Sequence, residues 1–153
     1  MQTARQLSVR LVNKPGLLAA LLVALNKEKV SFRALSVMDS GDHGTLRFVP
    51  EDEANLKTTE EVLKKNSLRF ETADVLLVEV PGQSGAFRNT VERLAAEHLN
   101  IDYAYCSFNG LGKAKGGVMA VIKVNDLSKA QRILSENGST SRRKPGRRPV
   151  HAR

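Results

Sequence analysis

The residues best placed to do chemistry are Asn13-Lys14-Pro15-Gly16-Leu17-Leu18 and Asn100-Ile101-Asp102, and a chemistry they would suit is recognition of a small zwitterion. A zwitterion needs donors for its carboxylate and acceptors for its ammonium. Pro15 suits the entry to a helix, where its missing N–H would go unpaired anyway. Backbone N–H groups at Gly16 to Leu18 would then carry the positive end of the helix dipole, and Gly16 would keep a Cβ out of the ligand's way. The carboxamides of Asn13 and Asn100 each offer a donor and an acceptor, and Asp102 would hold an ammonium if it faces the site. The same residues also have a plainer reading. Gly16 and Gly85 serve tight strand-to-helix bends, and Asn13 and Asn100 cap or turn locally.

Little else in the chain could react. Cys106, His43 and His98 form no metal-ligand spacing, so neither a metal nor a cofactor is expected. Asn109 to Gly117, NGLGKAKGG, lacks the Walker spacing and reads as a solvated hairpin loop. Tyr103, Tyr105 and Phe108 beside Lys113 and Lys115 are explained by packing rather than by base stacking. No nucleophile, base and orienting group can be assembled, and no enzyme is expected. No apolar run is long enough for a bilayer, the N-terminus has no apolar signal core, and one cysteine forms no internal disulfide. A reducing, cytoplasmic setting without membrane contact is the expectation.

The net charge of +8 belongs to one end of the chain. Residues 138–153 carry Arg142, Arg143, Lys144, Arg147, Arg148 and Arg153 and no acid, leaving 24 − 6 = 18 basic against 16 acidic residues elsewhere. A near-neutral body with a disordered basic tail follows. Arg142, Arg143, Lys144, Arg147 and Arg148 are the candidate polyanion contacts, and nucleic acid would be reached only through them.

The elements that position the first motif occur twice. Leu7 to Val37 matches Leu76 to Cys106 without a gap, so that Leu7 falls on Leu76, Val9 on Val78, Gly16 on Gly85 and Leu25 on Leu94. Such a repeat is one supersecondary unit built twice. Alternation over Gln6–Val12 predicts a strand, the Leu17 to Leu25 stripe a helix from Gly16 to Glu28, and Ser31–Met38 and Thr45–Val49 two further strands. Ala54–Asn66 reads as a helix and Leu68–Thr72 as a fourth strand. The second copy runs from Ala73–Val80 through a helix at Gly85–His98, strands at Ile101–Phe108 and Val118–Val124, and a helix capped by Asp126. No apolar run remains for its last strand.

This α+β order, β-α-β-β-α-β twice with a Pro-Gly-Leu turn after the first strand, resembles the ACT-domain family, and more narrowly its stand-alone members with two tandem modules. The resemblance implies ferredoxin-like modules at 5–72 and 73–137, antiparallel sheets with helices on one face, a second module short of a full last strand, and the tail at 138–153. It also implies amino-acid sensing where two modules meet side by side. Asn13 in the first-strand-to-helix loop and Asn100 opening a second strand match the family's ligand contacts. Their repeat counterparts are Gly82 and Ser31, so the resemblance implies one competent site at Asn13 to Leu18 with Asn100 to Asp102, and one degenerate site at Gly82, Gly85 and Ser31. A non-catalytic, allosteric, amino-acid-binding regulator is the leading expectation. It would act on an enzyme or regulator that the residues do not name, and it would either pair its modules within the chain or form a homo-oligomer. The rivals are a nucleic-acid-associated protein working through the tail and a ligand-free dimerisation module.

Overall fold

The computed structural model describes residues 2–39, 41–82, 84–107 and 118–136. The loop at 109–117 and the tail at 138–153, with Arg142, Arg143, Lys144, Arg147 and Arg148, lie outside the described residues. The order is β1 (Gln2–Val12), α1 (Leu17–Lys27), β2 (Phe32–Asp39), β3 (His43–Pro50), α2 (Glu53–Lys65), β4 (Phe70–Val80), α3 (Ala86–Ala96), β5 (Ile101–Cys106), β6 (Val118–Val124) and α4 (Leu127–Glu136). The chain is α+β, and its elements repeat in the expected order.

Instead of two four-stranded sheets, the six strands form one antiparallel sheet, β2-β3-β1-β4-β6-β5. Sharing of the two central strands makes this so. The strands expected at 68–72 and 73–80 are the single strand β4, whose first part pairs with β1 and whose last part, Leu76 to Val80, pairs with β6. β1 is shared likewise. Leu7 to Val12 pairs with β3, while Gln2 to Gln6 continues along β4. Among the described residues the second half has no fourth strand of its own, and the start of β1 stands in that place.

The register preserves the repeat. Arg5 lies opposite Asp74, which is its own counterpart, since 74 − 5 = 69 is the repeat distance. A local dyad therefore passes between these two residues. Arg5 Nε lies 3.7 Å from Asp74 Oδ1, with both side chains more than half exposed, so the ion pair itself adds little stability.

Alternation along the strands separates three cores. Leu7, Val9, Leu11, Leu46 and Phe48 face Leu21 and Leu25 of α1 and Leu56, Val62 and Leu63 of α2. Leu76, Ala120, Ile122 and Val124 make the matching layer with Leu94 and Ala130 of α3 and α4. The opposite face of the sheet is covered as well, because the sheet curls until its edges meet at a bridge between Ala34 and Ser107. Ala34, Val49, Val75, Leu77 and Val121 form this inner layer. Hence Val75, Leu76 and Leu77 are buried in succession, the mark of a strand covered on both faces.

Gln6 is fully buried in the inner layer. Its amide nitrogen donates to the Tyr103 hydroxyl at 2.5 Å, and its carbonyl oxygen accepts from the Tyr105 hydroxyl at 2.7 Å. Burial first, and the neighbouring Tyr103 second, push the Tyr105 phenol well above its usual value. The neutral phenol is favoured in the fold, so this contribution is complete below about pH 10 and is lost as the pH rises beyond it. Tyr105→Phe should cost about 1–2 kcal/mol at pH 7, by leaving the Gln6 carbonyl unpaired. That difference should shrink above pH 10. Urea unfolding of both proteins from pH 7 to 10.5 measures it, and parallel pH profiles would exclude Tyr105 as the source.

Three helices end alike, with Lys29, Ser67 and His98 in left-handed conformation at φ 55, 54 and 58°. The N–H groups of Val30, Leu68 and Leu99 donate back to the carbonyls of Leu25, Leu63 and Leu94 at 3.1, 3.0 and 3.0 Å. These are Schellman closures, each with an apolar contact, at a position that favours glycine. Lys29→Gly and His98→Gly should each stabilise by about 0.5–1 kcal/mol and raise the melting temperature by about 1–4 °C. Calorimetry reads the shift directly.

Candidate functional site

Side chains cap two helix starts and leave two open. Asp52 Oδ1 accepts from the Asn55 N–H at 2.8 Å, and Asp126 Oδ1 accepts from the Lys129 N–H at 3.0 Å. The Asn55 hydrogen bonds hold the Asp52 carboxyl below its ordinary pKa. By contrast, α1 and α3 follow Gly16 and Gly85 at φ 87 and 83°, with no side-chain cap. A Cβ placed on Gly16 would meet nothing within 4 Å. Within the chain, the left-handed turn is what calls for glycine here. The Leu17 N–H donates to the Lys14 carbonyl at 3.4 Å, and the uncapped N–H groups of Leu18 and Ala19 are available to an anion.

Each uncapped helix start borders a cavity. Beside α1 the cavity is about 570 Å³, with Leu11, Leu17, Ala20, Leu21 and Leu68 as apolar wall and Arg10, His43 and Arg69 as polar rim. This combination suits a small amphiphile that has an anionic group and an apolar body. Beside α3 the matching cavity is smaller, about 400 Å³, and is lined by Glu79, Pro81, Ser84, Asn89, Thr90 and Arg93 among others. The repeat sets Glu79 against Arg10, Asn89 against Ala20 and Thr90 against Leu21. One cavity is apolar with two guanidinium groups at its rim, and the other is polar with an acid.

The motif residues take several places. Leu17 lines the first cavity, and Leu18 packs against the first core. Asn13 ties its loop to the β2–β3 turn, its amide donating to the Gly41 carbonyl at 3.2 Å and to Asp39 Oδ1 at 3.4 Å. The Lys14 N–H donates to the Val12 carbonyl, the Lys14 carbonyl accepts from the Leu17 N–H, and Pro15 is exposed. At the other motif the Asn100 amide donates to Asp102 Oδ1, the Asn100 N–H donates to Asn125 Oδ1, and Ile101 packs on the second core. Of the residues marked as degenerate, Ser31 donates its N–H to Asn55 Oδ1, Gly82 is exposed, and Gly85 precedes α3.

Within one chain the two motifs do not meet. Ile101 pairs with Val124, and β6 brings Val124 level with Asp74 and so with Arg5. From Arg5 to Asn13 is eight residues of extended chain, roughly 25 Å along the strand direction. Asn13 and Asn100 share neither a hydrogen bond nor a cavity among the described residues. The reason is the shared central strands, which join the two halves through β1 and β4 into one continuous sheet.

Residues 5–67 match the family model described as the ACT domain. The second half repeats the topology of that stretch and completes it with the start of β1. Protein BT0572 from Bacteroides thetaiotaomicron is similar over 89% of both chains at 29% identity, with a TM-score of 0.78. The ligand-free regulatory subunit of aspartate kinase from Thermus thermophilus shares the fold at 12% identity, over 89% of this chain and 97% of that one, with a TM-score of 0.62. The regulatory subunit from Thermus flavus does so at 14% identity, over 91% and 98%, with a TM-score of 0.60. No curated protein matches the sequence.

Proposed function

We propose that the chain is a non-catalytic regulatory protein that binds an amino acid in the cavity beside the first turn of α1. The observation that supports this reading is an uncapped helix start opening on an apolar cavity rimmed by Arg10 and Arg69. The ligand's carboxylate lies at the helix start and the guanidinium groups, and an aliphatic side chain lies along Leu11, Leu21 and Leu68. Chains of this fold serve as regulatory subunits in the two Thermus proteins, in keeping with the role.

Asn100 to Asp102 joins the site from a second copy of the chain. Separation of the motifs within one chain favours this arrangement, as does the apolar strip at the cavity mouth. Val12, Leu17 and Val23 are 46, 39 and 55% exposed, and from Leu17 to Leu25 α1 has no polar residue. A helix apolar all round is normally covered. Ligand binding then favours one arrangement of the two copies by population shift.

The test is a thermal-shift panel of the common amino acids, followed by calorimetry and sedimentation on any that stabilise. An aliphatic amino acid should bind saturably and tighten a concentration-dependent dimer. No stabilisation by any amino acid would refute the reading.

A further inference from the structure

We propose that the polar end of the inner layer is a second ligand site, one that takes the phosphate group of a small molecule. The site is a cleft of about 810 Å³ that shares Arg10, Leu68 and Arg69 with the α1 cavity and adds Arg47, Tyr103 and Lys123, which that cavity lacks. Among the described residues, Arg10, Arg47, Arg69 and Lys123 line it, with Glu71 as the one acid. Among the described residues, Arg10, Arg47 and Arg69 donate no side-chain hydrogen bond and form no ion pair. Lys123 donates only to the Val124 carbonyl.

Arg47 is the central group. Its guanidinium carbon stands 4.0 Å above the centroid of the Tyr103 ring, which fixes the plane of the fork by cation–π contact. Its Nε is buried without a hydrogen-bond partner, a cost that folding leaves uncompensated. An anion would relieve that cost, and a guanidinium fork matches the oxygens of a phosphate.

The repeat shows that packing does not require this set. Phe48 pairs with Leu7 and Ile122 with Leu76, so β6 positions match β3 positions at a distance of 122 − 48 = 74. On the inner face, Ser8 corresponds to Leu77, Thr45 to Met119 and Arg47 to Val121. The second half fills these places with apolar side chains, and Leu77, Met119 and Val121 belong to the inner core. The same backbone thus closes on hydrocarbon in one half and opens on cations in the other. A net lining charge of 4 − 1 = +3 selects a multiply charged anion over a zwitterion.

Calorimetry on the full chain, with inorganic phosphate, pyrophosphate and adenosine monophosphate at matched ionic strength, tests the site. Saturable one-site binding is expected for at least one of them, with affinity falling tenfold or more in both Arg47→Gln and Lys123→Gln. Tightest binding by a free anion assigns an inorganic ligand, and tightest binding by the nucleotide assigns a phosphate ester. Both outcomes support the site. Lys123 is half-buried on β6, and Lys123→Gln gives a second reading even if Arg47→Gln fails to fold. No saturable binding of the three, or binding unchanged in Lys123→Gln, as basic residues elsewhere in the chain would give, overturns the proposal. Ala20→Phe, which fills only the α1 cavity, leaves phosphate binding intact, so this proposal and the amino-acid reading fail separately.

Discussion

Deleting residues 2–6 should unfold the second half of the protein, although the deleted stretch belongs to the first strand. Without Gln2 to Gln6, β4 loses its partner opposite Ala73 to Leu77, and the unpaired backbone faces solvent or aggregates. Gln6 goes too, leaving the Tyr103 and Tyr105 hydroxyls without their shared partner. A lost buried network plus a lost strand edge is worth about 4 kcal/mol or more. The melting temperature should then fall by roughly 10 °C or more. Hydrogen exchange should show amides of β6 opening together with those of β4. An unchanged melting temperature would mean that the start of the chain contributes no strand to the second half.

The second large effect concerns the cavity. Ala20→Phe should weaken amino-acid binding by about 100-fold, since an aromatic ring at this position fills the wall on which the ligand lies. Asn89→Phe, at the matching position of the second half, should leave binding unchanged. Both residues are exposed on their helices, so Ala20→Phe costs only about 0.5 kcal/mol of helix propensity and Asn89→Phe is close to neutral. Comparing the two by calorimetry locates the site in one half. Equal loss in both, or in neither, would remove the α1 cavity from consideration.

The repeat was fully legible in the sequence, because matched apolar positions survive wherever both halves pack against helices. Strand sharing was less so. Gln2 to Arg5 shows no apolar alternation and is held by pairing with residues about seventy positions away. Sequence periodicity does not register such a contact. The run Val75-Leu76-Leu77 did carry a signal, since successive burial marks a strand covered on both faces. The loop motif led to the α1 cavity through Leu17 alone. Arg10 and Arg69 escaped notice because a charged residue at an alternating strand position, or just past a helix, reads as solvent-facing. The mismatch of Arg10 with Glu79 was the available clue. Arg47 and Lys123 were hidden for the same reason, on a face that becomes interior only when the sheet curls.

The pairing of Arg5 with Asp74 bears on how such a chain could arise. A residue that faces its own counterpart across antiparallel strands sits where two identical chains would place a two-fold axis. A protein with only one copy of the unit could make this central pair by associating with itself. At the axis it would have to set arginine against arginine, a like-charge contact between directly opposed residues. Joining the copies in one polypeptide lifts that constraint and lets the position differ in sign. The same freedom extends outward along both strands, so every asymmetry between the two cavities and the two ends of the inner layer is of a kind that fusion permits and self-association forbids.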